Sequence, residues 1–166
     1  MSILKPDMYF KSIYDINFEK LYVKGIRAII CDIDNTLVEH GKGSNVNIKN
    51  LFNKLLDMGF KIGFLSNNSK DRIEIFNTDF GFQYIAKAKK PLPANYKKMA
   101  KNLGYKINKC IFIGDQLFTD ILGANMAGMM SILLTPISNC EPRQIRIKRK
   151  IEKIFMRGKY EYTRQD

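Results

Sequence analysis

Asp32 and Asp34 lie one residue apart, at the point where an apolar run from Ile26 to Cys31 ends. The run has the composition of a buried strand. Like charges at close range repel each other, so two carboxylates held together need a positive partner. Such a pair can bind a hard divalent cation, attack an electrophile or transfer protons, depending on what the rest of the chain places beside it.

A third carboxylate, Asp115, follows another apolar run that ends at Ile113. Carboxylate oxygens are the ligands that Mg²⁺ prefers, so Asp115 can complete a magnesium site if the two strands are neighbours about 4.8 Å apart. Beside such a cation Asp32 stays ionised at neutral pH and can attack phosphorus. Asp34 can protonate the leaving oxygen and later activate water.

Two further polar residues follow apolar runs, Ser66 and Lys90. Ser66 can donate a hydrogen bond to a phosphoryl oxygen, and Lys90 can neutralise another. Each has a simpler alternative, because Ser66 can be a turn or helix-cap residue and Lys90 a solvated lysine. Lys87 and Lys89 lie close by, so the choice among the three lysines stays open.

Apolar runs alternate with helical patterns from about Gly25 onward, which predicts an α/β fold. We expect a doubly wound parallel sheet of five strands with helices on both faces. The strands are predicted at 27–31, 61–65, 83–86, 110–113 and 130–134, with a short helix at 119–127 between the last two strands. Ligands bind at the carboxyl ends of the strands in such sheets, where all of the polar residues above are placed.

Four short stretches, DIDNT at 32–36, LSNN at 65–68, KP at 90–91 and GDQLFTD at 114–120, occur in this order. They resemble the motifs of the haloacid dehalogenase-like (HAD) phosphohydrolase superfamily. The resemblance implies a phosphatase in which Asp32 is the nucleophile and Asp34 the acid/base. It also implies phosphate binding by Ser66, Asn67 and Lys90, Mg²⁺ binding by Asp32, the main-chain carbonyl of Asp34 and Asp115, and support from Thr36 and Asp120.

The likeness extends to LKPDMYFKSIYDI before the first strand and to AKKP and GDQLFTDILGAN after it. Over residues 4 to about 136 the chain is similar to the YqeG branch of bacterial HAD phosphatases. That branch is related to the mitochondrial phosphatidylglycerophosphate phosphatases. The resemblance therefore implies a phosphate ester as substrate and a lipid as one candidate for it.

The spacing between motifs leaves no room for a large cap domain. Only 29 residues separate Thr36 from Ser66, and 23 separate Ser66 from Lys90, and the predicted strands and helices already use both intervals. A capless, open site suits a large substrate such as phosphatidylglycerophosphate. A phosphoprotein, a nucleotide or a nucleic-acid end are alternatives, and a non-catalytic RNA- or ribosome-binding module is a second one.

The charge is strongly positive, with 28 basic and 16 acidic residues and a formal charge of +12. Residues 143–159 hold eight basic residues and one acidic residue, with Ile147, Ile151, Ile154 and Phe155 at helical spacing. This pattern is typical of a basic amphipathic surface helix. We expect either contact with an anionic membrane face or a solvated helix packed on the core, and nucleic acid is a further candidate partner.

The chain has the length of one domain, so we expect a single HAD-like unit over 1–166. Its core is predicted at about 24–136, preceded by an amphipathic segment at 1–23 and followed by a basic helical tail at 137–166. Three cysteines at unrelated spacings argue against a disulfide framework or a zinc site, and no apolar run is long enough to span a membrane. These features favour the cytoplasm, with peripheral contact to the inner face of the membrane. His40 is given no role, and the oligomeric state is not indicated.

Overall fold

Over the described residues the polypeptide forms a parallel sheet of six strands with helices against both faces. The structure, a computed structural model, describes residues 3–138, 143–156 and 160–163. The strands are β1 (Met8–Phe10), β2 (Ala28–Cys31), β3 (Lys61–Leu65), β4 (Gln83–Ile85), β5 (Cys110–Gly114) and β6 (Met130–Leu134). The α-helices are α1 (Phe18–Val23), α2 (Val46–Asp57), α3 (Lys70–Asn77), α4 (Ala94–Asn102), α5 (Leu122–Ala127) and α6 (Arg143–Met156).

The strand order is β1-β6-β5-β2-β3-β4, and every neighbouring pair is parallel. The chain therefore runs outward from β2 to β4 on one side, and then returns to β5 and continues outward on the other. This confirms the predicted doubly wound topology. The direction reverses between β2 and β5, which is the place where such sheets bind their ligands.

The sheet has six strands and not the predicted five, because Met8–Phe10 adds an edge strand. β1 pairs with β6, with Met8 opposite Ile132 and Phe10 opposite Leu134. A three-residue strand is too short to show an alternating pattern, and its partner is more than 120 residues away. Phe10 of this strand is buried in the main core, as is Phe18 of α1.

Alternating strand residues face the two layers of helices. Ile29 and Cys31 of β2 belong to one core cluster, which buries residues of α1, α2 and α3. Ala28 and Ile30 belong to a second cluster, which buries residues of α4 and α5. Both faces of β2 are thus covered with apolar side chains, as a central parallel strand requires. Cys31 and Cys110 are buried free thiols, as their strand positions predict.

The helix after β5 begins differently from the prediction. An α-helix was expected over 119–127, but a π-helix runs over Leu117–Ile121 and only Leu122–Ala127 is α-helical. The wider turn lets the Asp120 side chain accept hydrogen bonds from the main-chain N–H groups of Asp115 and Gln116. Short π-helical turns of this kind occur frequently at functional sites.

The helix α6 lies within the predicted basic tail. Its partly buried Met156 packs against a small cluster formed by Leu117, Ile121 and Leu133. Among the described helices, α6 included, none combines the length and the apolar composition that crossing a membrane requires.

Candidate functional site

The carboxyl ends of β2, β3 and β5 meet at one edge of the sheet. β2 lies between the other two strands, with Cys31 opposite both Phe64 and Ile113. Asp32, Ser66 and Asp115 are the residues that follow these strands, and all three side chains are buried. The adjacency of β2 and β5, on which the predicted site depends, is therefore present.

Three carboxylates form a buried group that we call the carboxylate cluster: Asp32, Asp115 and Asp120. One oxygen from each lies within 4.8 Å of the others. Burial, together with the nearby charges of Asp120 and Asp115, raises the pKa of Asp32 to about 7 despite the opposing effect of Lys90. Burial likewise raises the pKa of Asp115 to about 6, with Arg149 opposing the shift. Three acids at this distance need positive charge beside them.

Lys90 supplies part of that charge. Its Nζ lies 3.0 Å from Asp32 Oδ1 and 2.7 Å from Asp120 Oδ1. Burial lowers the pKa of Lys90, but the carboxylates of Asp120 and Asp32 outweigh it and raise the pKa above its usual range. Lys87 and Lys89 are exposed, so the structure places Lys90, and neither neighbour, at the cluster.

Asp115 is held by donors on both carboxylate oxygens. The Thr36 hydroxyl donates to Oδ1 at 2.7 Å. The Arg149 guanidinium of α6 donates to Oδ2 and to the main-chain carbonyl of the same residue. Thr36 thus acts on a member of the cluster, in keeping with its predicted supporting position.

Asp120 is fully enclosed and braces the loop after β5. Its Oδ2 accepts hydrogen bonds from Asp115 N at 3.1 Å and Gln116 N at 3.0 Å. A Cβ atom added at Gly114 would lie 2.4 Å from the Asp120 carboxylate, so only glycine permits this approach. The need for a glycine at this position was not predicted from the motif.

The Asp34 side chain lies outside the carboxylate cluster, among a separate set of donors. Arg72 donates to Oδ1 through Nε at 3.1 Å and Nη2 at 2.7 Å. Asn68 donates to Oδ2 at 2.6 Å, and the Gly41 N–H donates to Oδ1 at 2.8 Å. His40, to which no role was assigned, has its Nδ1 3.7 Å from Oδ1. Arg72 was missed because it lies in the first turn of α3, far along the chain, and no motif marks it.

Ser66 and Asn67, both predicted to bind phosphate, take different positions. The Ser66 hydroxyl accepts a hydrogen bond from Asn68 N at 3.2 Å, so its own proton can be donated to a ligand. The Asn67 side chain instead brackets the main chain of Lys90, accepting from its N–H at 2.8 Å and donating to its carbonyl at 3.3 Å. Asn67 therefore orients Lys90, and the Asn67 side-chain amide is already hydrogen-bonded to the Lys90 main chain.

A pocket opens above these residues, and α6 forms part of its wall. The lining includes Asp32, Ser66 and Lys90, together with Ile145 and Lys148 of α6. The prediction of no large cap is confirmed for the described residues, because the intervals after β2 and β3 hold only the helices and strands given above. The contribution of α6 was missed, because its sequence pattern shows an amphipathic helix and does not show where it packs.

Comparison with families of known proteins agrees with this geometry. Residues 45–128 match the haloacid dehalogenase-like hydrolase family. The chain is 34% identical over 149 residues to the probable phosphatase YqeG of Bacillus subtilis (strain 168), covering 89% of this chain and 87% of that protein. It is 24% identical to phosphatidylglycerophosphate phosphatase 1, chloroplastic/mitochondrial, of Arabidopsis thaliana, of whose length it covers only 45%.

Among solved structures, the fold is similar to the cobalt-bound deoxy-D-mannose-octulosonate 8-phosphate phosphatase of Haemophilus influenzae. The TM-score is 0.57 at 15% identity, covering 83% of this chain and 90% of that one. At this identity the likeness concerns the fold alone.

Proposed function

The chain belongs to the haloacid dehalogenase-like hydrolase family and is a phosphatase, and from this premise we propose that it hydrolyses phosphate monoesters with Asp32 as the nucleophile. The observation that carries the proposal is the position of Asp32. Its carboxylate lines the pocket beside Ser66, and its Oδ1 lies 3.0 Å from the Lys90 ammonium. Attack on phosphorus would form an aspartyl-phosphate and release the alcohol.

Ser66 and Lys90 are placed to bind the transferred phosphoryl group. Both line the same pocket as Asp32, and the Ser66 proton is free to be donated because its oxygen accepts from Asn68 N. Lys90 contributes a positive charge held in place by Asp120. Donors and charges fixed before the reaction stabilise the transition state without a cost of reorganisation.

Asp34 is the proposed acid/base. It lines the pocket next to Asp32, and Arg72 and Asn68 fix the orientation of its carboxylate. It would give a proton to the leaving oxygen and then take one from the water that hydrolyses the aspartyl-phosphate. The two aspartates of the DIDNT stretch would thus have separate tasks because they have separate partners.

The carboxylate cluster fits a hard divalent cation such as Mg²⁺. Three carboxylates that each offer an oxygen within 4.8 Å of the others form a donor set that Mg²⁺ prefers. Asp32 and Asp115 are the proposed side-chain ligands, with the main-chain carbonyl of Asp34, while Asp120 supports Lys90. When bound, the cation would neutralise the phosphoryl oxygens that otherwise repel Asp32.

For the substrate, we favour a phosphomonoester carried on a large or membrane-presented molecule, such as phosphatidylglycerophosphate. The similarity to the Arabidopsis phosphatase and the lack of a large cap in the described chain support this choice. A phosphoprotein, a nucleotide or a nucleic-acid end would undergo the same chemistry. A purely binding role on RNA is less well supported, because the site presents carboxylates to its anionic ligand.

The outward face of α6 supports contact with an anionic bilayer. The helix places Arg149 and Glu152 toward the core, with Ile145 and Met156 partly buried on the same side, while its other apolar residues are exposed. We call the exposed isoleucines the outer stripe: Ile147 (54% exposed), Ile151 (45%) and Ile154 (73%). Phe155 (42% exposed) lies beside them and packs edge-on against Phe118. Exposed basic residues flank the stripe, namely Arg146, Lys148, Lys150 and Lys153. Basic residues near an anionic surface contribute about 1 kcal/mol each.

Phosphate release from a substrate panel tests the chemistry. The panel includes phosphatidylglycerophosphate in mixed micelles, a phosphopeptide and a nucleotide, each with Mg²⁺ and with EDTA. Asp32→Asn should lose turnover by at least about 10³-fold, because the amide is not a nucleophile but keeps the shape of the side chain. Asp71→Asn, which changes an exposed acid of α3, is the matched control and should keep full activity. Equal rates for Asp32→Asn and wild type would refute the proposed nucleophile.

Co-sedimentation with vesicles tests the membrane part separately. Wild type should bind vesicles of anionic lipid and not vesicles of phosphatidylcholine alone, since both charge and apolar burial are needed. The double variant Lys150→Glu/Lys153→Glu should bind at least about tenfold more weakly. Lys97→Glu/Lys98→Glu, the same charge change on α4, is the control. Unchanged binding in the α6 variant would remove the membrane contact while leaving the chemistry intact.

A further inference from the structure

Arg149 connects the tail helix to the carboxylate cluster. Its guanidinium donates to both the carboxylate and the main-chain carbonyl of Asp115. The Asp115 side chain is 0% exposed and that of Arg149 only 12%. The contact is therefore a buried ion pair between a terminal helix and a candidate metal ligand.

A second contact holds Arg149 in this position. Glu152, one turn further along α6, lies 3.3 Å from Arg149 Nη1. Glu152 also accepts a hydrogen bond from the main-chain N–H of Phe118 at 3.2 Å, at the start of the π-helix that carries Asp120. α6 is thus attached to the loop after β5 at two points, both next to the cluster.

The formal charges at the carboxylate cluster indicate how Arg149 contributes to its charge balance. Four buried carboxylates, the three of the carboxylate cluster and Glu152, face two cations, Lys90 and Arg149. A guanidinium is always charged, so Arg149 cannot lose its proton to make room for another cation. Lys90 and one divalent cation would already balance three carboxylates. Arg149 would then balance Glu152, and its contact with the Asp115 carboxylate would no longer be needed to compensate the charge of Asp115.

We propose that Arg149 and the divalent cation compete for Asp115, so that docking of α6 on the site and metal binding oppose each other. The proposal rests on the proposed function, because it takes Asp115 as a metal ligand. In the metal-free protein Arg149 compensates the charge of Asp115. When the cation binds, the Arg149–Asp115 contact weakens and α6 is held mainly by Glu152 and Met156.

Two linked consequences follow. Removal of Arg149 strengthens cation binding, since the competitor is lost and Asp115 is left without its positive partner. By thermodynamic reciprocity, the cation weakens the docking of α6 by the same factor. Binding at one site commonly changes the affinity of a coupled site by about 5- to 150-fold, and we expect a change of about tenfold here.

Calorimetric titration with Mg²⁺ alone, in the absence of substrate, tests the first consequence. Arg149→Met should bind Mg²⁺ about tenfold more tightly than wild type. Lys150→Met is the matched control, because it removes the same charge from the adjacent, exposed position of the helix. Its affinity should equal that of wild type to within about twofold. If Arg149→Met binds with unchanged or weaker affinity, the proposal is overturned.

A measurement on the wild-type protein tests the second consequence and does not depend on the folding of a variant. Trypsin cleaves after lysine and arginine, and α6 offers Arg146, Lys148, Lys150 and Lys153. Saturating Mg²⁺ should increase the rate of cleavage within α6 by about tenfold. A rate that Mg²⁺ leaves unchanged or lowers would overturn the proposal.

The outcomes separate this proposal from the proposed function. If wild type binds Mg²⁺ and turns over substrate but the affinity does not respond to Arg149→Met, only the competition is wrong. If neither protein binds Mg²⁺, both the competition and the metal site are wrong. If Lys150→Met strengthens binding as much as Arg149→Met does, a general charge effect replaces the specific contact.

Discussion

Two cations contact the carboxylate cluster, Lys90 from the α/β core and Arg149 from the tail helix, and they are held in very different ways. The Lys90 side chain is 3% exposed and its main chain is bracketed by the Asn67 amide. Arg149 is 12% exposed and stands on a helix whose apolar residues mostly face solvent. The comparison indicates that one positive charge is a fixed part of the site and that the other can be exchanged.

The largest expected effect is that of Lys90→Met. Removal of the lysine leaves Asp32 and Asp120 buried without a positive partner, which costs about 3–5 kcal/mol. Arg149→Met should cost less, about 1–3 kcal/mol, because solvent reaches its position and the helix can move. Urea unfolding in EDTA measures both, with exposed Lys89→Met as the control. Equal losses for the two variants would abolish the distinction between a fixed and an exchangeable charge.

The charge of Asp32 should itself destabilise the metal-free protein. Burial raises its pKa from 3.8 to about 7, so the stability it contributes when protonated is lost as the pH rises from about 4 through about 7. Asp32→Asn does not titrate. In EDTA at pH 8 we expect Asp32→Asn to be more stable than wild type by up to about 4 kcal/mol, and the gap to close near pH 4. Thermal and urea unfolding at several pH values measure the difference in stability between the two proteins. A difference that does not depend on pH would contradict the raised pKa of Asp32.

A smaller loss of stability is expected when an added methyl group crowds the loop after β5. Gly114→Ala places a Cβ atom 2.4 Å from the Asp120 carboxylate, which displaces Asp120 from Lys90. Overpacking of this kind costs about 1–3 kcal/mol. Gly43→Ala is the control, because its Cβ would meet nothing closer than 4.0 Å. Urea unfolding and phosphate release should both show a loss for Gly114→Ala, whereas full activity would mean that Asp120 need not stay where it is.

The smallest effect is expected on the outward face of α6. Ile154 is 73% exposed, so Ile154→Ser should change the free energy of unfolding in solution by no more than about 0.5 kcal/mol. Binding to anionic vesicles should nevertheless weaken, because the stripe is then interrupted. Urea unfolding and co-sedimentation, measured on the same preparation, separate the two effects. A large loss of stability would show that this face is packed.

Much of the fold could be predicted because its signals are local. A buried strand such as Ala28–Cys31 is a short apolar run, and Ser69, which caps α3, is a residue type that favours helix N-caps. β1 could not be predicted in the same way. Three residues carry no periodicity, and β1 becomes a strand only through its pairing with β6.

The same distinction between local signals and long-range contacts applies to the residues of the candidate site. Asp32, Ser66 and Asp115 could be named because each directly follows an apolar run. The partners of Asp34 and Asp115 could not, because Arg72 and Arg149 reach them from 38 and 34 residues away. No local pattern distinguishes a buried arginine of a basic helix from its solvated neighbours.

Residue types and short-range periodicity are enough to establish which chemical groups the protein carries and the order in which they follow its strands and helices. The pairing of the charges depends on how the chain packs in three dimensions: Lys90 pairs with Asp32 and Asp120, Arg72 with Asp34, and Arg149 with Asp115. Ion pairs form between residues that are close in space, and distance in space follows from the packing of the whole chain.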